Sequence, residues 1–171
     1  MFTSRAEYRL ILREDNADLR LREKGFQIGL INQEEYEHFR KKKKAIEDEL
    51  VRLRSIQVRA DAKTNETLVR LGTAPIKNPV TLEEILRRPE VSYKTLSDLG
   101  YPPQEEIPPG VIEQVEIQVK YAGYINRQEE HVEKFKKMEK IKMPSDFDYR
   151  KIPGLSREVQ EKLTAIRPVS L

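Results

Sequence analysis

The sequence predicts an all-α fold: a helical bundle-like domain with long helices, then a smaller C-terminal helical subdomain. Three observations predict it. Helix-start patterns recur at Ser4/Glu7, Asn32/Glu35 and Thr81/Glu84, where a short polar side chain accepts from orphan backbone N–H groups and an acid sits in the positive first turn. A series of positions in residues 36–53, apolar but for Lys43, and apolar residues of 111–122 and 132–141 return at spacings of three and four, which is helical periodicity. Gly72, Pro89, Gly100 and Pro144 each close a stretch of this kind.

The bulk properties bound the rest. With 171 residues the chain makes one domain or two small ones. Hydrophobic content is 37% and charged content 36%, so the core is lean and much of each helix is solvated. No stretch reaches the roughly 18 consecutive apolar residues of a membrane span, and Met1 runs directly into a polar segment without a signal-peptide pattern. No cysteine is present. That excludes disulfides, thiolate chemistry and cysteine-bound metals within the chain and leaves a cytoplasmic home unopposed. Thirty-two basic residues nearly balance 29 acidic ones, for a net charge of +3. Such a balance permits nucleic-acid binding without arguing for it.

The opening stretch, Thr3–Leu21, carries two expected helix starts, at Ser4 and at Asp15 with Asp18. Between them Tyr8, Ile11 and Leu12 form an apolar face. Arg5, Arg9 and Arg13 fall at i, i+4 and i+8, a guanidinium row on a helix of about 3.6 residues per turn. Such a row is either a solvated, ion-paired face or a phosphate contact, since arginine's planar fork meets phosphate bidentately. Gly25 and Gly29 bracket a break. Asn32 then opens a long helix whose Tyr36, Phe39, Lys43, Ile46, Leu50 and Leu53 trace a heptad seam holding one lysine. This reads as packing antiparallel on another helix of the same chain. The Lys41–Lys44 run on that helix is a solvated surface or a non-specific phosphate contact.

Short helices are expected in NETLVRLG, TLEEILRR and SYKTLSDLG. Residues 101–110, with four prolines, are the clearest linker and set an expected division into 1–106 and 107–171. The longest helix then runs from Val111 to about Met143, with Val111, Val115, Val119 and Ala122 on its first apolar face and Val132, Phe135, Met138 and Ile141 on its second. Gly123 lies between. Glycine inside a helix costs about 1 kcal/mol relative to alanine, so either another helix approaches closely there or the bare backbone belongs to a contact surface. Tyr121 and Tyr124 flank it, with Lys120 and Arg127 close by. Ser156 caps a final helix, SREVQEKLTAIR. The preceding IPGLS is a loop-to-helix junction or, less strongly, half of a helix-hairpin-helix unit.

Chemistry-bearing patterns are missing. There is no G-x-G-x-x-G, no phosphate loop and no metal-ligand spacing, and His38 and His131 are read as surface residues on charged helices. No residue is assigned a catalytic role. Most carboxylates sit one helical turn from a lysine or arginine, which favours ion pairs over acid–base work.

Four blocks carry more than spacing does: SRAEYRL…LREDNADLRL at the start, LRRPEVSY at Leu86–Tyr93, VEIQVKYAGYINRQ at Val115–Gln128 and DYRKIPGLSREVQEKL at Asp148–Leu163. In this order they closely resemble the C-terminal helical region of the tRNA uridine 5-carboxymethylaminomethyl modification enzymes, the MnmG or GidA flavoproteins. The resemblance implies a fragment without the flavin-binding catalytic front and without the last helices. It also implies that Met1 need not be a true start. In the parent enzyme it implies FAD, NADH, a folate one-carbon donor, a GTPase partner (MnmE-like), a possible homodimer, and modification of the wobble uridine of tRNA. The fragment itself is not expected to be catalytic or to hold a cofactor. Arg5, Arg9, Arg13 and Arg20 are then the first candidates for contacting tRNA or bracing the missing flavin domain. Lys120, Tyr121, Tyr124 and Arg127 are the second set, for RNA or partner contact. A stand-alone helical interaction protein without an RNA role is the alternative.

Overall fold

A computed structural model of the chain describes residues 8–103, 106–144 and 146–170. Among these residues the fold is all-α, with six α-helices and one two-stranded antiparallel ribbon of two residues per strand. The helices are α1 (Ala17–Gln27), α2 (Gln33–Ser55), α3 (Ala62–Arg70), α4 (Leu82–Leu86), α5 (Pro109–Glu139) and α6 (Arg157–Ile166). The packing divides the chain into two compact units, Met1–Ile125 and Asn126–Leu171. This cut differs from the one expected at 106/107. The proline-rich stretch interrupts helices without ending the core, because Val111, Val115 and Val119 of α5 are buried with the residues before it.

In the first unit α1 and α2 form an antiparallel helical hairpin. Phe26 stacks on Tyr36 with ring centroids 4.0 Å apart and planes 1° from parallel, the Tyr36 hydroxyl donates to Glu23 at 2.6 Å, and Lys42 pairs with Asp18 at 2.7 Å. The antiparallel partner expected for α2 is therefore α1. Phe39, Ile46 and Leu53 of the seam are buried, Tyr36 and Leu50 half-buried and Lys43 exposed, as a single lysine at the margin of an apolar stripe should be. Asn32 accepts from the Glu35 N–H at 2.9 Å while Glu35 reaches back to the Asn32 N–H at 3.2 Å, completing the capping box.

The chain leaves α2 into Gln57–Val58, which pairs with Val80–Thr81. Asp61 caps α3, and Gly72 at φ 80° turns the chain away from it, a conformation glycine adopts without a Cβ penalty. Thr81 and Glu84 form the second capping box, at the start of α4. Leu82, Ile85 and Leu86 of α4, Val91, Tyr93 and Leu96 after it, and the α5 valines complete one apolar core. The helix expected over Ser92–Gly100 is only a 3-10 turn at Lys94–Leu96. The Thr95 hydroxyl bonds back to Ser92 at 2.7 Å there and stabilises turn geometry instead of helix.

The opening differs most from expectation. Tyr8–Leu12 is a turn, closed by the Leu12 N–H on the Tyr8 carbonyl at 2.8 Å. Asn16, not Asp15, stands at the N-cap of α1, and it makes no side-chain cap bond. Ser4 and Arg5 lie outside the described residues.

The second unit holds the end of α5, a 3-10 turn at Tyr149–Lys151, and α6 capped by Ser156. Phe147 meets Tyr149 edge-on at 5.3 Å, and Lys142 and Ser170 form an isolated antiparallel bridge. Tyr149 is its one buried hydrophobic side chain among the described residues. Phe135, Met138 and Ile141, expected as an apolar face, are 56%, 46% and 52% exposed. The element ahead of the Gly154 turn is a single 3-10 turn, so the junction runs from loop to helix.

Candidate functional site

Two places hold the candidate residues. The first is a polar network around the start of α1. Arg13 donates through Nε to Asp15 Oδ1 at 3.0 Å, through Nη2 to Oδ2 at 3.1 Å, and through Nη1 to the Leu10 carbonyl at 2.5 Å. Arg20 donates through Nε to Asn16 Oδ1 at 2.8 Å and through Nη2 to the Arg13 carbonyl at 3.1 Å. Asn16 Nδ2 donates to the Ile11 carbonyl at 3.0 Å. From α5, the buried Gln114 amide donates to the Asp15 carbonyl at 2.9 Å and to Asp15 Oδ2 at 2.8 Å.

These bonds explain why the expected cap fails. Asp15 and Asn16 have short polar side chains, but stronger partners from the arginines and Gln114 take them. They also disperse the guanidinium row: residues 8–12 are turn, so Arg9 and Arg13 do not share a helix face. Arg13 and Arg20 point their N–H groups at their own segment, and Arg9 is exposed. Burial raises the Asp15 carboxyl, but the hydrogen bonds from Arg13 and Gln114, with Arg13's charge, outweigh it and hold the group below its ordinary value. Gln114 was missed in the sequence. The available signal was a glutamine within an otherwise apolar stripe, Val111–Val115–Val119.

The second place is the middle of α5. Tyr121 and Tyr124 are 46% and 58% exposed, with ring centroids 6.5 Å apart and planes 50° apart. An added Cβ on Gly123 would meet nothing within 4 Å, so close helix–helix approach does not explain this glycine. Lys120 reaches the Pro89 carbonyl at 3.3 Å and pairs with Glu116 at 3.5 Å. Arg127 is exposed, one turn beyond Tyr124 on the same helix. His38 and His131 are exposed as well.

A third cluster is structural. Glu49 is buried, receives Arg52 Nε at 2.8 Å and Nη2 at 2.7 Å, and accepts from the Tyr93 hydroxyl at 2.7 Å. Burial first, then the bond to Glu49, pushes the Tyr93 hydroxyl well above its usual value. This cluster ties α2 to the segment after α4.

The described residues do not fit a flavin dinucleotide. That group needs a strand leading through a glycine turn to a helix N-terminus. Here Val58 reaches α3 through Arg59, Ala60 and Asp61, and Thr81 caps α4 directly. What the site offers is a helical scaffold with a braced entry segment and, in the middle of α5, two exposed tyrosines beside Lys120.

Comparison with known proteins agrees with the all-α helical class. Residues 33–129 match the model of the "tRNA modifying enzyme MnmG/GidA C-terminal helical domain", and residues 131–171 match that of the "MnmG/GidA C-terminal helical bundle". The chain belongs to the MnmG/GidA family of tRNA-modifying enzymes, as its C-terminal helical part. It is 52% identical over all 171 residues to the tRNA uridine 5-carboxymethylaminomethyl modification enzyme MnmG of Caldicellulosiruptor saccharolyticus, and 48% identical to that of Syntrophobacter fumaroxidans. It spans 27% and 26% of those two proteins. Among solved structures, Aquifex aeolicus GidA in crystal form II superposes with a TM-score of 0.62 at 35% identity, over 97% of this chain and 25% of that one.

Proposed function

We propose that this chain is the tRNA- and partner-docking region of an FAD-dependent enzyme that installs the carboxymethylaminomethyl group on the wobble uridine of tRNA. The observation that carries the reading is the full-length match to relatives bearing that name, of which this chain is about a quarter. FAD and NADH belong to the rest of the parent enzyme, where the protein works in the cytoplasm. No described helix is long and apolar enough to cross a membrane. A GTPase partner and a second copy of the enzyme are the protein contacts of the full assembly.

Charge supports the RNA part. Residues 126–171 hold eleven lysines and arginines against eight acids, while residues 1–125 hold 21 of each, so the whole excess of +3 sits in the second unit. Within the opening block, Arg13 and Arg20 brace the segment through Asp15 and Asn16, and Arg5 and Arg9 take the contact role. Lys120, Tyr121, Tyr124 and Arg127 form a second contact face. The test is fluorescence anisotropy of labelled tRNA titrated with the chain across a salt series, beside Arg9→Glu and Arg13→Ala. We expect binding that weakens steeply with salt, weaker binding for Arg9→Glu, and a lower melting temperature for Arg13→Ala. No binding at low salt overturns the RNA role of this region.

The exposed stripe of Phe135, Met138 and Ile141 favours one alternative, a helical protein-interaction domain without an RNA role. Apolar docking of that kind is insensitive to salt, so the same titration against the purified GTPase separates the two readings.

A further inference from the structure

The middle of α5 combines two features that its own fold leaves unexplained. Tyr121 and Tyr124 present two large rings to solvent, 6.5 Å apart. Residues 117–128 contain Lys120 and Arg127 and no acid at all, in a chain where 29 of 171 residues are acidic and two would be expected over that length. The acids resume on either side, at Glu116 and Glu129.

We infer that Tyr121 and Tyr124 form a stacking ledge for unpaired bases of an RNA loop. Each element has a physical reason. A base has a π-face whatever its identity, and tyrosine rings stack on it without needing a sequence. No carboxylate lies in the window itself to repel the phosphates that accompany every base, and Lys120, whose charge Glu116 balances at 3.5 Å, is fixed at its edge by the Pro89 carbonyl. A protein helix would instead seek aliphatic side chains, and in this window Ile117, Val119 and Ile125 are half-buried or buried. Double-stranded RNA offers no free base faces, so the ledge selects unpaired loops over paired stems. This rests on the docking role proposed above and adds which part of the RNA the ledge reads.

The test compares a stem-loop RNA carrying 2-aminopurine in its loop with a fully paired duplex of equal length, using the whole chain. For the wild type we expect 2-aminopurine fluorescence to change on binding and the stem-loop to bind more tightly than the duplex. Tyr121→Ala with Tyr124→Ala should weaken stem-loop binding about tenfold or more and leave duplex binding unchanged. Tyr121→Phe with Tyr124→Phe keeps the rings and should keep the affinity. Stem-loop affinity unchanged in the double alanine variant overturns the ledge and leaves it to a protein partner. An equal loss for stem-loop and duplex also overturns it. A wild-type chain that binds neither RNA overturns the docking role itself and the ledge with it, whereas wild-type binding that no ledge variant disturbs overturns the ledge alone.

Discussion

At the scale of single residues, the Glu49 cluster is where one atom matters most. Its carboxylate is buried and serves three donors, two on Arg52 and one on Tyr93. Glu49→Ala strands a largely buried guanidinium and should cost about 3 kcal/mol. Tyr93→Phe removes one hydroxyl bond and should cost about 1 kcal/mol. Urea denaturation midpoints check both. The pH dependence follows from Tyr93, whose hydroxyl is held above its ordinary value of 10.0 by burial and by Glu49. Below pH 10 the hydroxyl is protonated in folded and unfolded chains alike, and its contribution is fully present. Above pH 10 the unfolded chain ionises while the folded one keeps its proton, so stability falls as pH rises. The gap between wild type and Tyr93→Phe should therefore narrow above pH 10 in a melting series. None of this was legible in the sequence. Glu49 stands on α2 among charges that all read as solvated, and only the tertiary position of Tyr93 sets it apart.

At the scale of elements, legibility follows the range of the deciding interaction. The capping boxes at Asn32 and Thr81, the α2 seam and the Ser156 cap are decided within a few residues, and all are readable from spacing. The opening helix is not. Its caps look correct locally, but Gln114, 99 positions away, takes Asp15, and Arg20 takes Asn16. The candidate site divides the same way. Exposure of Tyr121 and Tyr124 follows from their place on a helix with one apolar face, whereas the inward turn of Arg13 depends on an aspartate held from α5. Gly123 gives an element-level prediction. Its helical conformation needs no glycine, and open space surrounds it. Gly123→Ala should therefore stabilise α5 by about 1 kcal/mol, seen as a raised melting temperature. A lowered one would mean that the position packs against another part of the chain.

At the scale of the whole molecule, core and charge are distributed unequally. Of the sixteen buried hydrophobic side chains among the described residues, Tyr149 alone lies beyond residue 125, so the second unit has little apolar burial to hold it. Its amides should exchange with solvent faster than those of α2 and α4, and limited proteolysis should cut first between α5 and α6. The same unit carries the entire charge excess. Lys134, Lys137, Lys140 and Lys142 are exposed and contribute no core packing, so replacing all four by glutamine should leave the melting temperature unchanged. If they meet phosphates, the variant should bind stem-loop and duplex RNA more weakly by the same factor. The slope of log affinity against log salt should become shallower, because fewer counterions are released. The preference for the stem-loop should persist, since stacking on Tyr121 and Tyr124 does not depend on those charges. An unchanged salt slope would move the phosphate contacts to the first unit, and Arg9 would be the residue to replace next.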